Sequence, residues 1–565
     1  MSESGREAFV RRGAGCAPAR AAAKAEPIRY ALSPVVENGA LTALAVDIDF
    51  RGDKDGLTVL KFIDSFQGDT RPGRFAEGLE ITGARSVTPR PEGGAAIRAT
   101  PGAALHARYQ IRSGYDKAPT TQDETQTKPI ILPDWFYTVG ELVFAYPEGR
   151  YDTPATFVWN DKASGLRFAS DLQQLAARHG AVGDMLDSIM IGSPRLRITE
   201  GTGADAGLRF AALGTFEDYD DKAFSAMAFR VIQVERAFWA DGSTPFLVTL
   251  APLEMRFIAS YSGTGRGDAF ALWVGTDLPL ADLRRLLAHE YFHTWNADQL
   301  GLQSRQRRSA WLSEGFTDFY ARRLLLRAGV YSLADYAQAW NEDLLGYGVS
   351  PSRNADIQAV AKDYWRDRGL EEIAYKRGAL SAALFDAELR EDGKSLDDVM
   401  RAMRRLHRRN SKTLLRTNFE TAFMEVSGHS PLAEIDRYHT HGGTLTLPAN
   451  AFACLTIRTV TQPVWNLGFD PEATSNAGVF TGVDPAGPAY AAGLRDGMKK
   501  LKREGGAQDD SSVEIAYRVR DAAGREQVVR YKPEGKTMVS FQRLSIPEEV
   551  TPDQEKACVK TLSGL

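Results

Sequence analysis

Cysteine and histidine are the scarce residues of this sequence. Three cysteines, Cys16, Cys454 and Cys558, are spread over 565 residues, which excludes both a cysteine-built zinc framework and a disulfide-dense scaffold. Eight histidines are few enough that any clustering carries information. Long apolar runs are missing too. No stretch approaches the roughly 18 to 20 uninterrupted apolar residues of a membrane-spanning helix, so no transmembrane segment is expected. Neither sign of charge dominates: 69 basic residues face 73 acidic ones for a net charge of -4, which argues against nucleic acid as a partner gripped by bulk charge. What remains is ordinary globular composition, 43% hydrophobic and 25% charged, in a chain long enough for several domains.

The pattern changes three times along the chain. Residues 1–27 read as a leader or disordered segment. Arg6, Arg11 and Arg12 precede Ala21-Ala22-Ala23-Lys24-Ala25, which suits signal cleavage, but the hydrophobic centre of a signal peptide is missing. An incompletely represented export signal would make the protein periplasmic or secreted; otherwise it is cytoplasmic. Residues 28–195 read mostly as β. Leu44, Val46, Ile48 and Phe50 alternate with Ala45, Asp47 and Asp49, the period of a half-buried strand. Strands are also expected over 104–111 and 142–146, one helix over 169–178, and the whole as an antiparallel β-sandwich. Residues 196–447 combine a helix over 221–240 and strands over 246–250 and 269–275 with helical periodicity over 280–300, 310–328, 333–345, 375–388, 396–406 and 419–426. This is an α+β catalytic unit with a helical lobe. Residues 448–565 return to short strands and turns.

The stretch that carries chemistry is Leu286-Leu287-Ala288-His289-Glu290-Tyr291-Phe292-His293-Thr294-Trp295-Asn296. Four positions apart on a helix, His289 and His293 project from one face and suit two corners of a tetrahedral zinc site. Glu290, next to the first of them, is placed to reach a water instead of the metal, the His-Glu-x-x-His arrangement of metallopeptidases. Zinc needs a third protein ligand. Glu314 follows His293 with 20 residues between them, on the next helix, and a helix–loop–helix return would bring it back. Asp318, one turn on, is a candidate to orient a ligand histidine, as is Asn296. In such a site Glu290 is the general base, and a tyrosine from a neighbouring helix is the natural second donor to the oxyanion; Tyr375 is the candidate. The expected cofactor is one Zn2+ per chain and the expected partner a peptide substrate. Oligomeric state leaves no mark on the sequence.

His289-Glu290-Tyr291-Phe292-His293-Thr294-Trp295-Asn296, Glu314-Gly315-Phe316-Thr317 and Tyr375-Lys376-Arg377-Gly378-Ala379-Leu380 resemble the gluzincin metallopeptidases, most closely the glycyl aminopeptidase family. The resemblance implies an N-terminal β domain, a thermolysin-like catalytic domain and a C-terminal PDZ-like domain. It implies zinc ligands at His289, His293 and Glu314, a base at Glu290 and a transition-state-stabilising tyrosine at Tyr375. Two departures stand out. Related aminopeptidases carry a glutamate in a Gly-rich edge-strand motif that holds the substrate amine, whereas Gly263-Thr264-Gly265-Arg266-Gly267-Asp268-Ala269-Phe270 has none. Asp268 is the candidate substitute, against a solvated loop aspartate. The spacing to Glu314 also differs slightly, which a loop of another length absorbs.

Asn466-Leu467-Gly468-Phe469 resembles a PDZ carboxylate-binding loop, making Leu467, Gly468 and Phe469 candidates for capturing a peptide terminus; a module that only packs on the catalytic domain is the alternative. Cys454 and Cys558 flank this segment and would clip its ends in an oxidising compartment. Arg305, Arg307 and Arg308 lie in the loop between the two metal-bearing helices. One of them is expected to face the cleft and favour acidic or carboxylate-bearing substrates. His439 and His441, without a carboxylate at defined spacing, read as a solvated loop. The sequence thus points to a zinc-dependent peptidase, an aminopeptidase on short peptides. A gluzincin endopeptidase with an open cleft and a catalytically inert peptide-binding scaffold remain as rivals.

Overall fold

A computed structural model gives the fold and describes residues 26–565 except 67–69, 119–126, 162–163, 177–178, 243, 254–260, 297–298, 304–306 and 508. Nearly all of the expected leader, Cys16 and Arg305 therefore lie outside the described residues. The molecule is mixed α+β, rich in strands towards the N-terminus and in helices towards the C-terminus. Among the described residues no helix is long and apolar enough to cross a membrane. Backbone contacts divide the chain into two compact units, Met1–Thr294 and Trp295–Leu565.

The first unit begins with a hairpin. Ile28–Glu37 and Ala40–Arg51 pair antiparallel around Asn38 and Gly39, whose φ of 52° and 81° give the turn that matches strand twist. Alternation in the second strand puts Leu44, Val46 and Ile48 at zero exposure. The hairpin sits in a five-stranded sheet with Ala104–Ile111, Ala76–Thr82 and Ala155–Trp159, the last paired parallel to the first strand. Two four-stranded sheets follow, so among the described residues the N-terminal β region is three sheets with one parallel pairing, not a purely antiparallel sandwich. Two local expectations fail. The described part of 169–178, residues 169–176, is not a helix: Arg167–Ser170 is a strand and Asp171–Gln174 a short 3-10 turn, while 177–178 lie outside the described residues. Leu172 and Leu175 imitate helical spacing, but Ser170 pairs with Met190 and the buried Asp171 side chain takes the Ile189 N–H. Residues 142–146 likewise form the end of a 3-10 turn, with only Tyr146–Pro147 in a strand, because the Val143 and Phe144 N–H groups both turn back to the Gly140 carbonyl.

A fourth, five-stranded sheet leads towards the histidines. Its strands Leu208–Ala212, Phe246–Pro252 and Ala269–Val274 run parallel, flanked by antiparallel Arg197–Glu200 and Tyr261–Arg266. The parallel strands are almost wholly buried, as strands covered on both faces must be. One face meets the third sheet through Tyr137 on Trp273, ring centres 4.9 Å apart. The other takes α1 (Asp221–Trp239) through Phe210 stacked on Phe224, each fully buried ring contributing about 1.5–3 kcal/mol. The N–H of Leu280 donates to Asp218 and starts α2 (Leu280–Phe292), which ends well short of the expected residue 300.

The second unit contains α3 (Phe316–Ala328), α4 (Leu333–Val349), α5 (Arg368–Glu391), α6 (Leu396–Arg409) and α7 (Leu415–Ser427). A two-stranded sheet of Thr456–Trp465 and Glu534–Ser545 and a three-stranded sheet from 499 to 531 follow. The long strand is fastened to α4: Asn341 exchanges two hydrogen bonds with the Leu544 backbone, and Gly348 lets the chain pass so close to Phe541 that a Cβ there would lie 2.3 Å from it. Cys454 and Cys558 are bonded, their Cα atoms 5.6 Å apart.

Candidate metal centre

Along its length α2 turns Leu283, Leu287, Tyr291 and Phe292 into the core. Arg236 and Phe238 of α1 fix its C-terminal end from the side, the first by a 2.8 Å hydrogen bond to the Tyr291 hydroxyl, the second against the Phe292 ring. His289 lies in the helix and His293 caps it, its N–H reaching back to the His289 carbonyl. Their exposures are 7% and 8% and their Nε2 atoms stand 3.0 Å apart. Two imidazole lone pairs aimed at one point repel each other unless a proton or a cation lies between them. Glu290, between them in sequence, is half-buried.

Glu314 comes from a different local device. Trp311–Gly315 form one π turn before α3, a rare element often found at functional sites. Asn296 braces it. Its Nδ2 donates to the carbonyls of Leu312 and Ser313 at 3.0 and 3.2 Å and to Thr317 Oγ1 at 2.9 Å. The Ser313 hydroxyl donates to Glu314 Oε1 at 3.2 Å. The ligating atoms of His289, His293 and Glu314 lie within 4.8 Å of one another. Two imidazoles and one carboxylate are the donor set of a catalytic zinc ion, whose bonds of about 2.0–2.1 Å hold nitrogens about 3.3 Å apart, so the residues present fit that metal.

Around Glu314 the second unit places further groups. Gly315 and Gly378 bring the π turn against α5: a Cβ on Gly378 would lie 2.3 Å from the Trp311 carbonyl oxygen. That close crossing carries Tyr375, half-buried on α5, which hydrogen-bonds Tyr364. Burial, then the charge of Glu314, push the Tyr364 phenol well above its ordinary pKa. Asp318 is 6% exposed with its carboxylate 3.7 Å from Arg322, which pairs more closely with Asp343 at 2.7 Å. Arg307 approaches Glu314 to 3.9 Å. Arg308 is exposed and donates to Gln358.

Other candidates sit elsewhere. Asp268 is in the hairpin turn after the edge strand Tyr261–Arg266, and its N–H points to Asp171. In the C-terminal segment the Gly468 N–H is taken by Asn466, Tyr531 donates to the Leu467 carbonyl, and the Phe469 ring packs on Phe480 and Tyr517. The helix Pro471–Ala477 follows at once. His439 is not in a solvated loop: it is 2% exposed, stacked on Trp311 at 4.1 Å and bonded to the Ser381 hydroxyl. Burial lowers its pKa well below the ordinary value.

Two groups escaped the sequence reading. Glu235 of α1 is wholly buried, and among the described residues neither carboxylate oxygen finds a hydrogen-bond partner. Burial raises its pKa well above the ordinary value, with the charge of His289 opposing. A glutamate one turn after Val231 on the apolar face of α1 was the available signal. Tyr364 carried none beyond its place beside Trp365.

Residues 282–380 match the model of the M61 glycyl aminopeptidase family, the stretch holding His289, Glu290, His293, Glu314 and Tyr375. No curated protein matches the sequence. Among solved structures, an aminopeptidase N family protein from Idiomarina loihiensis shares the fold at 12% identity and a TM-score of 0.64, over 94% of this chain and 100% of that one. An M1 zinc metallopeptidase from Deinococcus radiodurans, solved alone and as a variant bound to a Tyr-Ser-Ala substrate, aligns at 15% identity and a TM-score of 0.45 over 75% of this chain and 95% of that one.

Proposed function

In a chain that carries a metallopeptidase domain of the M61 glycyl aminopeptidase type over residues 282–380, we propose zinc-dependent hydrolysis of short peptides from their amino end. The observation that carries this reading is the convergence of His289, His293 and Glu314 with Glu290 beside them. When bound, Zn2+ supplies a Lewis acid for the scissile carbonyl and lowers the pKa of water. Glu290 takes the proton of the attacking water and hands it to the leaving amine. Tyr375 donates to the oxyanion, and its bond to Tyr364 limits where the hydroxyl can stand. Asn296 holds the turn that aims Glu314. Asp268 stays the candidate for the substrate amine. The C-terminal segment is read as a PDZ-like module that packs instead of capturing peptide ends, a reading supported by the occupied Gly468 N–H and the helix that follows.

The test is metal content together with hydrolysis of free-amine and N-blocked peptides. Wild-type protein is expected to hold one zinc and to cleave only the free-amine peptides. Glu290→Gln is expected to keep the zinc and lose about 10²–10⁴ in kcat. Equal cleavage of blocked peptides would replace the exopeptidase by the open-cleft endopeptidase, and undiminished turnover in Glu290→Gln would remove the mechanism. An absence of hydrolysis in zinc-loaded wild type would leave the peptide-binding scaffold.

A further inference from the structure

Arg307 has no part in the hydrolysis just described, yet its setting is unusual. Its φ is 53°, a left-handed backbone that costs a residue with a side chain about 1–2 kcal/mol and persists only where the surroundings hold it. The guanidinium lies 4.6 Å from the centre of the Trp365 ring and 5.6 Å from that of Tyr364. It donates one hydrogen bond to Gln303 at 3.3 Å, and the side chain keeps 21% exposure. Among the described residues the carboxylate that approaches it within 4 Å is that of Glu314, 3.9 Å away, and Glu314 belongs to the donor set of the candidate metal centre.

Those two demands on Glu314 conflict. A carboxylate that ligates Zn2+ has its charge drawn to the ion, which leaves a permanently charged guanidinium with several N–H groups that, among the described residues, pair with no other carboxylate. The ring stack holds the cation in place all the same. The ion, Arg307, Glu314 and Glu290 together then carry net positive charge, the condition for drawing in an anion. Guanidinium N–H groups match a carboxylate two at a time.

We propose that Arg307 binds a carboxylate of the substrate one residue beyond the scissile bond, which makes the free carboxy terminus of a dipeptide its preferred ligand. This rests on the peptidase reading above. Arg307 Nη1 stands 3.9 Å from Glu314 Oε1, so the guanidinium lies beside the residue that would hold the ion, on the ground a short substrate must share. A longer peptide carries its terminus past this point, and only an acidic side chain at that position offers the same chemistry.

The test uses the zinc-loaded full chain. In Glu290→Gln, calorimetry is expected to show Ala-Ala binding at least ten-fold tighter than Ala-Ala amide, and adding Arg307→Gln is expected to bring the two within two-fold. In turnover by the otherwise wild-type chain, the acid-to-amide ratio of kcat/KM should collapse in Arg307→Gln, chiefly through KM. Arg307→Lys keeps the charge without the planar stack and should retain an intermediate ratio; it carries the test if Arg307→Gln does not fold. Ala-Asp amide separates the two sources of carboxylate. Binding as weak as Ala-Ala amide assigns the terminus, and binding as tight as Ala-Ala assigns an acidic side chain and overturns the dipeptide preference. Equal affinity for acid and amide, or a ratio untouched in Arg307→Gln, overturns the proposal. If Glu290→Gln binds the free acid selectively while wild type hydrolyses nothing, the carboxylate site stands and the peptidase reading falls.

Discussion

Asn296 and Glu235 support the candidate metal centre without belonging to its donor set. The Asn296 amide donates to the Leu312 and Ser313 carbonyls of the turn that aims Glu314, and Asn296→Leu would take that donor from both, leaving the Ser313 carbonyl only the Thr317 hydroxyl among side-chain donors. Each unsatisfied group costs about 1–3 kcal/mol. The variant should melt lower and bind zinc about 10–100-fold more weakly, as supporting residues of metal ligands do. Titration with a competing chelator measures it, and wild-type affinity would show that the π turn holds without the amide. Glu235 acts through its proton. Burial keeps the folded-state pKa above that of the unfolded chain, so the folded protein retains a proton that the unfolded chain releases above the ordinary carboxylate range. Its contribution to stability is fully present below that range and fades as pH rises towards the folded pKa, by up to about 1.4 kcal/mol per pH unit. In metal-free protein, Glu235→Gln should flatten the fall of Tm between pH 5 and pH 8. Parallel curves would mean that the carboxyl is ionised where it lies.

At the scale of elements, the decisive contact is the crossing of the π turn Trp311–Gly315 with α5. Two glycines meet there, and Gly378→Ala would drive a methyl group to 2.3 Å from the Trp311 carbonyl and 2.9 Å from the Gly315 Cα. Overpacking of this kind costs about 1–3 kcal/mol. Because α5 carries Tyr375, the variant should lose kcat even at temperatures where it is fully folded. A loss of Tm alone, with kcat retained, would separate the crossing from the chemistry. The same elements show what could be read beforehand. The approach of His289 to His293 was legible because a four-residue spacing on a helix is local geometry, and that of Glu314 because a helix–loop–helix return follows from two apolar periodicities. The π turn was not legible, since Ala310 to Ala328 keep one continuous periodicity through it, and so the role of Asn296 stayed hidden. The helix expected over 169–178 failed for the converse reason: hydrogen bonds to Met190 and Ile189, distant in sequence, outweighed local spacing.

At the scale of the molecule, the bond between Cys454 and Cys558 closes a stretch with a sequence separation of 104. Chain-entropy arguments assign a loop of that length about 4–5 kcal/mol, and losses of 2–5 kcal/mol are typical when such a bond is removed. Reductant, or Cys454→Ser, should therefore lower Tm, and the unreduced, denatured protein should titrate with a single free thiol, that of Cys16. Three titrating thiols would show the bond absent.

Arg327 of α3 adds a constraint of another kind. Its guanidinium takes the carbonyls of Ser563 and Gly564, 236 and 237 positions later in the chain, and pairs with the buried carboxylate of Asp397. During synthesis the helix beside Glu314 emerges long before those carbonyls exist, so a cation meant for the interior must wait in water until the far end of the chain arrives. Contacts of such long range form late and slowly. A nascent chain arrested before residue 560 should therefore hold zinc poorly despite displaying every ligand, and competence should appear only when the final helical turn is released.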